Sequence, residues 1–295
     1  MSGEEVLRIK PQEAASLIAE GRMQVVTAAP EPKGYTNSSL ERASSIFGQD
    51  FLGPRQIEET LGIRIPDGEI PPLPYSEEEL QKAKELDQFL ILRASKDASG
   101  KPLTMERFNE IVQPKLEESD EGQLLYDTSW YGEEEFFKKD TPGLAWALVS
   151  KEVIPSSTNQ NYLEQTQAIA DYLKDVVFKN KALPDNYKEA IEEFERGKDA
   201  IETEIESDWQ GATKKLAALR LNQITRQKPV EAIYDLATYF LHTNERLMEG
   251  MYTWTNTRSS LGDLVYVGYF DSKGVYVHRW YPDRSRGIIG VCLSR

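Results

Sequence analysis

The stretch that decides the fold is YTWTNTRSSLGDLVYVGYFDSKGVYVHRWYPDRSRGIIGVCLSR, at residues 252–295. Three runs within it are rich in β-branched and aromatic residues and therefore favour β-strands. These runs are LVYVGYF at 264–270, VYVHRWY at 275–281 and IIGVCLS at 288–294. The DSKG segment between the first two runs suits a hairpin turn in which Gly274 takes a positive φ. The sequence therefore predicts a three-stranded meander.

The middle predicted strand has two chemically different sides. Because successive side chains of a strand alternate between faces, Tyr276, His278 and Trp280 share one side. The opposite side carries Val275, Val277, Arg279 and Tyr281. If the valines face the core, the aromatic side faces outward, beside an Asp-Arg-Ser-Arg loop at 283–286. The alternative is that the rings form the core of a small sheet and the arginines only solvate it.

Rigid aromatic rings combined with arginine and small polar residues are typical of recognition surfaces. We therefore predict that this tail binds a ligand, with the rings as anchors and the arginines orienting the bound molecule. The predicted ligand-binding residues are Tyr266, Tyr276, His278, Arg279, Trp280, Tyr281, Arg284, Ser285 and Arg286.

The closing pattern R-S-S-x-G-x-L-V-x-V-G-x-F-D-x-x-G-V-x-V-x-x-W-x-P-D, with a terminal G-V-x-L-S-R, resembles the ends of uncharacterised multi-copy bacterial proteins. It also resembles the variable region of retroelement-diversified proteins, which hold changeable surface residues on a C-type-lectin-like strand frame. The resemblance covers only the tail. It implies frame positions at Leu264, Val265, Val267, Gly268, Phe270, Gly274, Val275, Val277, Gly290, Val291 and Leu293.

The same resemblance implies a set of changeable positions. They are Tyr266, Tyr269, Tyr276, His278, Arg279, Trp280, Tyr281, Arg284, Ser285 and Arg286. Adenine-directed substitution of Asn codons generates Tyr, His, Ser, Arg and Asp, but it does not generate Trp. Trp280 therefore departs from the pattern and belongs to the frame if the resemblance holds.

The remaining chain divides into three segments. Residues 1–75 predict short helices and a proline-rich connector. Residues 76–157 predict an α+β segment, with a capping box at Ser76, a buried strand at 89–94 and a helix capped by Thr104. From 158 to 250 the apolar residues recur at helical spacing, which predicts a bundle of antiparallel helices.

These segments together predict an α+β fold. We expect a small mixed or antiparallel sheet, C-type-lectin-like in form, with a large inserted antiparallel helical bundle. The bundle is inserted between two β-rich segments, so the tail at 251–295 is expected to pair with strands of the 76–157 segment.

The charge distribution restricts the partners. The chain carries a net charge of −14, and the tail has six basic and three acidic residues, which leaves −17 for the rest. An acidic body repels phosphate backbones, so we expect no nucleic-acid partner. No signal peptide or membrane segment is visible, and the lone Cys292 excludes an intramolecular disulfide. We therefore expect a cytoplasmic protein without a membrane span.

Catalytic motifs are missing from the sequence. It has no phosphate-binding glycine loop, no zinc-protease or nucleophile-elbow motif, and only two histidines, His242 and His278. The apolar surroundings of Cys292 predict a raised thiol pKa. The acidic run 133–135 resembles a metal site, but a solvated face is favoured. We predict no catalytic residue, no metal and no cofactor.

Three hypotheses for function follow. The first is a non-enzymatic binding protein that captures a protein or other macromolecular ligand through its tail. The alternative is a structural or assembly protein that forms an oligomer through its acidic helical bundle. The third is an uncharacterised hydrolase that uses carboxylates alone.

Overall fold

The computed structural model describes residues 37–295, and the predictions for residues 1–36 lie outside this range. The described chain is a mixed α+β structure with two small sheets. Its helices are α1 (Asn37–Phe47), α2 (Pro54–Leu61), α3 (Glu77–Glu85), α4 (Met105–Glu118), α5 (Glu135–Lys138), α6 (Tyr162–Tyr172), α7 (Asp185–Ser207), α8 (Trp209–Ala218), α9 (Arg220–Thr225) and α10 (Pro229–Thr243). Its strands are β1 (Phe51–Leu52), β2 (Gln88–Arg93), β3 (Ala145–Ser150), β4 (Tyr252–Arg258), β5 (Leu264–Asp271), β6 (Gly274–Trp280) and β7 (Ile289–Gly290).

Two helix starts follow the capping pattern of the sequence. The Ser76 hydroxyl accepts a hydrogen bond from the Glu79 backbone N–H, and the Glu79 carboxylate accepts one from the Ser76 N–H at 2.8 Å. This reciprocal pair begins α3, and it confirms the predicted capping box. Thr104 caps α4 through a 3.1 Å bond from the Arg107 N–H, which confirms the second predicted cap.

The first sheet has the order β1-β2-β3, with β2 in the centre. Strand β1 runs parallel to β2, and β3 runs antiparallel to it. Every residue of β2 is buried, as the continuous apolar run predicted. Tyr234 of α10 donates a hydrogen bond to the Leu92 carbonyl at 3.1 Å, so this helix is fixed against the central strand.

The region 158–250 is largely helical, as predicted, but the helices break where the apolar spacing alone gave no signal. Helix α6 continues as a π-helical turn at Leu173–Val177. Asp208 leaves the helical conformation and caps α8 through a 3.0 Å bond from the Gly211 N–H. Pro229 takes the first position of α10, where its missing N–H is not needed.

The second sheet is built from the C-terminal tail, in the order β6-β5-β4-β7. The hairpin of β5 and β6 forms as predicted, with Gly274 at φ +109°. The predicted meander is wrong for the last run. After Trp280 the chain loops back to the other side of β4, where only Ile289–Gly290 forms a strand, parallel to β4. Strand β4 thus separates the hairpin from β7.

Several backbone hydrogen bonds join the tail to the segment 76–157, although the strands of the two segments belong to separate sheets. The Leu148 N–H donates to the Arg295 carbonyl, and the Ser150 N–H donates to the Leu293 carbonyl, both at 2.9 Å. Leu125 forms a parallel bridge with Val275, so residues beside it cover the free edge of β6. The edge would otherwise expose unpaired backbone groups.

The tail sheet lies between two hydrophobic cores. Val265, Val267, Val275 and Val277 pack into a core shared with the first sheet and α10. On the opposite side of the sheet, Trp254 and other residues pack into a core shared with the helices of the region 158–225. Part of this second side is not covered by those helices, and it carries the candidate site.

We expect Gly274→Ala to lower the free energy of unfolding by about 3 kcal/mol. A Cβ atom at Gly274 would lie 2.7 Å from backbone atoms of Leu125 and Tyr126, at a φ that L-residues rarely adopt. Denaturant unfolding measures this loss. Gly250→Ala is the matched control, because nothing lies within 4 Å of a Cβ there. Equal stability of the two variants would contradict the close approach of this backbone.

Candidate functional site

One side of the tail sheet, which the helical region covers only in part, carries a continuous set of rings that we call the aromatic face. Strands β4, β5 and β6 contribute most of these rings, and the segment that covers the edge of β6 contributes one more. Neighbouring ring centroids lie between 4.2 and 6.1 Å apart. The aromatic face consists of Tyr126, Tyr252, Tyr266, Tyr269, Tyr276 and His278.

Tyr269 reaches this face through a β-bulge. Up to Val267 the strand alternates regularly, and continued alternation would direct Tyr269 into the valine core. The register shifts between Gly268 and Asp271, where Gly268 has φ +154° and Tyr269 has φ +53°. The shift places Phe270 in the core instead and leaves Tyr269 37% exposed. A left-handed conformation is costly for a tyrosine, so the bulge serves to present this ring.

Tyr126 was missed by the sequence analysis. It lies outside the tail, in the segment 76–157, where no binding residue was predicted. Its N–H donates to the Val275 carbonyl at 3.1 Å, which places its ring on Tyr276 with centroids 4.2 Å apart. It is 45% exposed. The local sequence holds no signal for this contact, because pairing with residues about 150 positions away creates it.

Tyr276 and His278 lie on the face as predicted, and each is partly exposed. Tyr266 does not behave as a surface residue. It is only 9% exposed and packs edge-on against Trp254 in the second core. The expectation that Tyr266 is a freely changeable surface position is therefore wrong, because the helical region covers this part of the sheet.

Some of the remaining predicted binding residues already contact other side chains of the protein, whereas others are free to contact a ligand. Arg279 forms an ion pair with Asp263 at 2.9 Å and lies over the ring of Trp130, so it is engaged within the protein. Trp280 is partly buried, and the guanidinium of Arg286 lies 4.3 Å from its ring centroid.

The loop after β6 carries the other predicted residues. Tyr281 is 42% exposed and meets Trp209 edge-on at 4.7 Å. Arg284 and Ser285 are exposed, and the guanidinium of Arg284 stays 3.8 Å from the Asp283 carboxylate. These side chains extend the candidate surface beyond the rings.

Burial favours the uncharged form of three groups on the aromatic face. Burial raises the pKa of Tyr252, and the charges of nearby groups raise it further. Burial raises the pKa of Tyr266 too, and the positive charge of Arg286 partly opposes this shift. Burial lowers the pKa of His278, although the Asp127 carboxylate acts in the opposite direction. These pKa shifts favour the neutral ring over the phenolate at Tyr252 and Tyr266 and over the imidazolium at His278.

We expect the His278 pKa to make stability depend on pH. Because the folded-state pKa lies below the ordinary value of about 6.5, the unfolded chain binds its proton first as the pH falls. The stability from neutral His278 is thus present above about pH 6.5 and is lost below it. Urea unfolding should show a wild-type advantage over His278→Gln that is larger at about pH 7.5 than at about pH 5.5. A larger advantage at the acidic pH would contradict the assigned direction.

The chain also contains acidic side chains and a thiol that could bind a metal ion or act as a nucleophile. In the part of the chain that the structure describes, no three His, Cys, Asp or Glu side chains are grouped so as to hold a metal ion. Glu133 and Glu135 are strongly exposed and pair with lysines, which confirms the interpretation of that run as a solvated face. Burial raises the pKa of Cys292 to about 12, as its apolar strand context predicted.

Between residues 37 and 295, no helix combines the length and apolar character that crossing a membrane requires. No family model, curated protein or solved structure matches the chain. Function is therefore inferred from the aromatic face and its surroundings.

Proposed function

We propose that this chain is a non-enzymatic binding protein whose aromatic face recognises a protein or other macromolecular ligand. The observation that carries the proposal is Tyr269, an exposed ring held in a left-handed bulge instead of the adjacent core. Strained backbone of this kind persists where the surrounding structure imposes it, and it concentrates at functional sites.

The exposure of neighbouring rings supports the same function. Tyr126 and Tyr269 expose 45% and 37% of their surface, and both contact the partly exposed Tyr276. Contiguous aromatic surface is rare on a free protein surface and is typical of interaction sites. Tyrosine is also suited to such sites, because its rigid ring loses little conformational entropy on binding.

The arginines near the face have different roles in this proposal. Arg284 and Arg286 are exposed at the end of the surface, where they can orient an anionic or polar group of the ligand. Arg279 already pairs with Asp263 and is better assigned to holding the hairpin in place. The proposed contact residues are therefore Tyr126, Tyr269, Tyr276, His278, Tyr281, Arg284, Ser285 and Arg286.

We further propose that the tail is the variable region of a retroelement-diversified, C-type-lectin-like protein. Buried Val265, Val267, Val275 and Val277 are compatible with a constant frame, and the exposed contact positions are compatible with variation. Sequencing sibling copies of this chain tests the idea. Substitutions concentrated at the exposed positions support it, whereas substitutions spread evenly along the chain contradict it.

Selection of a random peptide library on the immobilised full chain tests the binding function. Peptides enriched on the wild type should be lost on a Tyr269→Ala/Tyr276→Ala variant and kept on Leu261→Ala. Leu261 is the matched control because it is 60% exposed and outside the aromatic face. Circular dichroism melting shows that each variant is folded. Enrichment that does not depend on the two tyrosines would refute the proposal.

A groove in the helical region favours assembly as a second function. It has a volume of about 1060 Å³ and is lined by α6, the π-helical turn and α7. Acidic side chains outnumber the single lysine on its wall, and partly exposed Ile205 and Val176 add apolar surface. Sedimentation of the full chain at increasing concentration tests this function. A constant monomer mass would contradict self-assembly.

A further inference from the structure

The ring faces of the candidate site have a definite electrostatic character. An aromatic ring is negative above its plane, so its face attracts cations. Tyr126 and Tyr276 stack with an interplanar angle of 18°, and Tyr269 meets Tyr276 at 74°. Part of this ring surface is open to solvent, because Tyr126 and Tyr269 are 45% and 37% exposed.

Two carboxylates flank these rings without a cationic partner. Asp127 follows Tyr126 directly, and Asp271 ends β5 beside Tyr276. Each accepts a hydrogen bond from a backbone N–H of its own turn, at 2.9 and 2.8 Å respectively. These bonds fix the position of a carboxylate but do not neutralise it. Neither aspartate forms an ion pair with any residue in the range 37–295.

The fields of both carboxylates reach the aromatic face. After burial, the charge of Asp271 is the next cause that raises the pKa of Tyr276, and it also acts on Tyr252. The charge of Asp127 raises the pKa of His278 against the larger effect of burial. Hydrogen bonds from Ser129 lower the pKa of Asp127 itself, so this carboxylate stays ionised.

The arginines near the aromatic face do not neutralise Asp127 or Asp271. Arg279 is already paired with Asp263, and Arg246 is already paired with Glu121. Lys273 is exposed in the hairpin turn and makes no ion pair with Asp271 among the described contacts. The aromatic face thus combines exposed ring surface with two flanking carboxylates that form no ion pair among residues 37–295.

We propose that the part of the aromatic face between Asp127 and Asp271 binds a lysine or arginine side chain of a basic peptide segment. This inference rests on the proposed binding function and specifies the ligand chemistry. The rings of Tyr126, Tyr269 and Tyr276 meet the cation, and the two carboxylates neutralise it. Charge complementarity gives the site a preference that ring surface alone would not have.

The test uses a synthetic peptide of alternating glycine and lysine, and the same peptide with every lysine acetylated. Acetylation keeps the aliphatic part of the lysine side chain but removes its charge. Titration calorimetry with the full chain should show at least about tenfold tighter binding of the lysine peptide. Equal affinity for the two peptides would overturn the proposal.

Charge-removing variants locate the effect on the protein. Asp127→Asn/Asp271→Asn should weaken lysine-peptide binding about tenfold while keeping the shape of both side chains. The control Asp67→Asn/Glu69→Gln removes the same net charge from two exposed positions in a distant part of the sequence. An equal loss in both variants would show only an effect of net charge and would overturn the site.

The peptide-library selection distinguishes cation recognition from the proposed binding function on which it rests. Peptides that need Tyr269 and Tyr276 but carry no basic residue would overturn cation recognition and leave the binding function standing. Failure to obtain any peptide that depends on these tyrosines would overturn both. Enrichment of basic residues in tyrosine-dependent peptides is the result that we expect.

Discussion

Replacing Asp235 by alanine is expected to lower the free energy of unfolding by about 3 kcal/mol or more. Asp235 and Arg93 are both buried, and the Arg93 Nε–H donates to the carboxylate at 3.0 Å. Removing the acid leaves the guanidinium in the core without its main counter-charge. Glu231, 3.6 Å from Arg93, retains part of the compensation, so the loss should not exceed about 5 kcal/mol.

The Arg93–Asp235 pair joins several elements of the fold, so its loss should lower the stability of the whole described structure. Arg93 lies at the end of β2, and Asp235 lies on α10. The same guanidinium donates to the Ser294 hydroxyl at 2.9 Å, which attaches the end of the tail to both elements. Gln227 donates to the Asp235 carboxylate at 2.6 Å and completes the network.

Matched variants separate the charge from the packing. The Asp235→Asn substitution keeps the side-chain volume and removes only the charge, and denaturant unfolding measures its effect on stability. The double variant Arg93→Met/Asp235→Leu replaces both charges with apolar groups and should recover much of the lost stability. A loss below about 1 kcal/mol for Asp235→Ala would contradict the assignment of this pair as a buried structural contact.

Replacing Tyr269 and Tyr276 together by alanine is expected to lower the affinity for a peptide selected on the wild type by at least about a hundredfold. Central aromatic anchors dominate interface energetics, and truncation removes both the buried area and the ring contacts. The two rings lie 5.6 Å apart and are partly exposed, so they can act on one ligand group.

The same double variant should remain folded. Tyr269 is 37% exposed and outside the core, so truncating its ring removes little buried packing. Isothermal titration measures the loss of affinity, and thermal unfolding followed by circular dichroism measures the stability. Leu261→Ala should bind the peptide as tightly as the wild type. Unfolding of the double variant would mean that the two rings are core residues.

Local features of the sequence predicted several helix starts, one buried strand and one hairpin of the fold. The capping residues Ser76 and Thr104, and Pro229 at the start of α10, act on neighbouring backbone groups. The buried strand β2 and the β5–β6 hairpin also follow from short-range patterns. Such signals need no knowledge of distant contacts, and for that reason they were visible in the sequence.

The candidate site was less predictable because distant packing creates it. Tyr126 enters the face through a bridge between Leu125 and Val275. Tyr266 is buried because residues of the helical region pack on one part of the tail sheet. Alternation alone assigned the side of each β6 residue correctly, but it could not determine which part of that side is covered.

The bulge at Gly268 shows how far a local signal extends. Glycine within a strand pattern is a recognised indication of a bulge. The resemblance to variable proteins placed Gly268 in the frame and Tyr269 among the changeable positions. No local pattern predicts φ +53° at Tyr269, because that conformation depends on Gly268 lying against the Met251 and Tyr252 backbone.

Radical footprinting of the tyrosines, with and without a selected peptide, tests whether the aromatic face is the binding site. We expect the peptide to protect Tyr126, Tyr269 and Tyr276 from oxidation and to leave the exposed Leu261 unchanged. Protection confined to the α6–α7 groove, with these three rings as reactive as before, would contradict it.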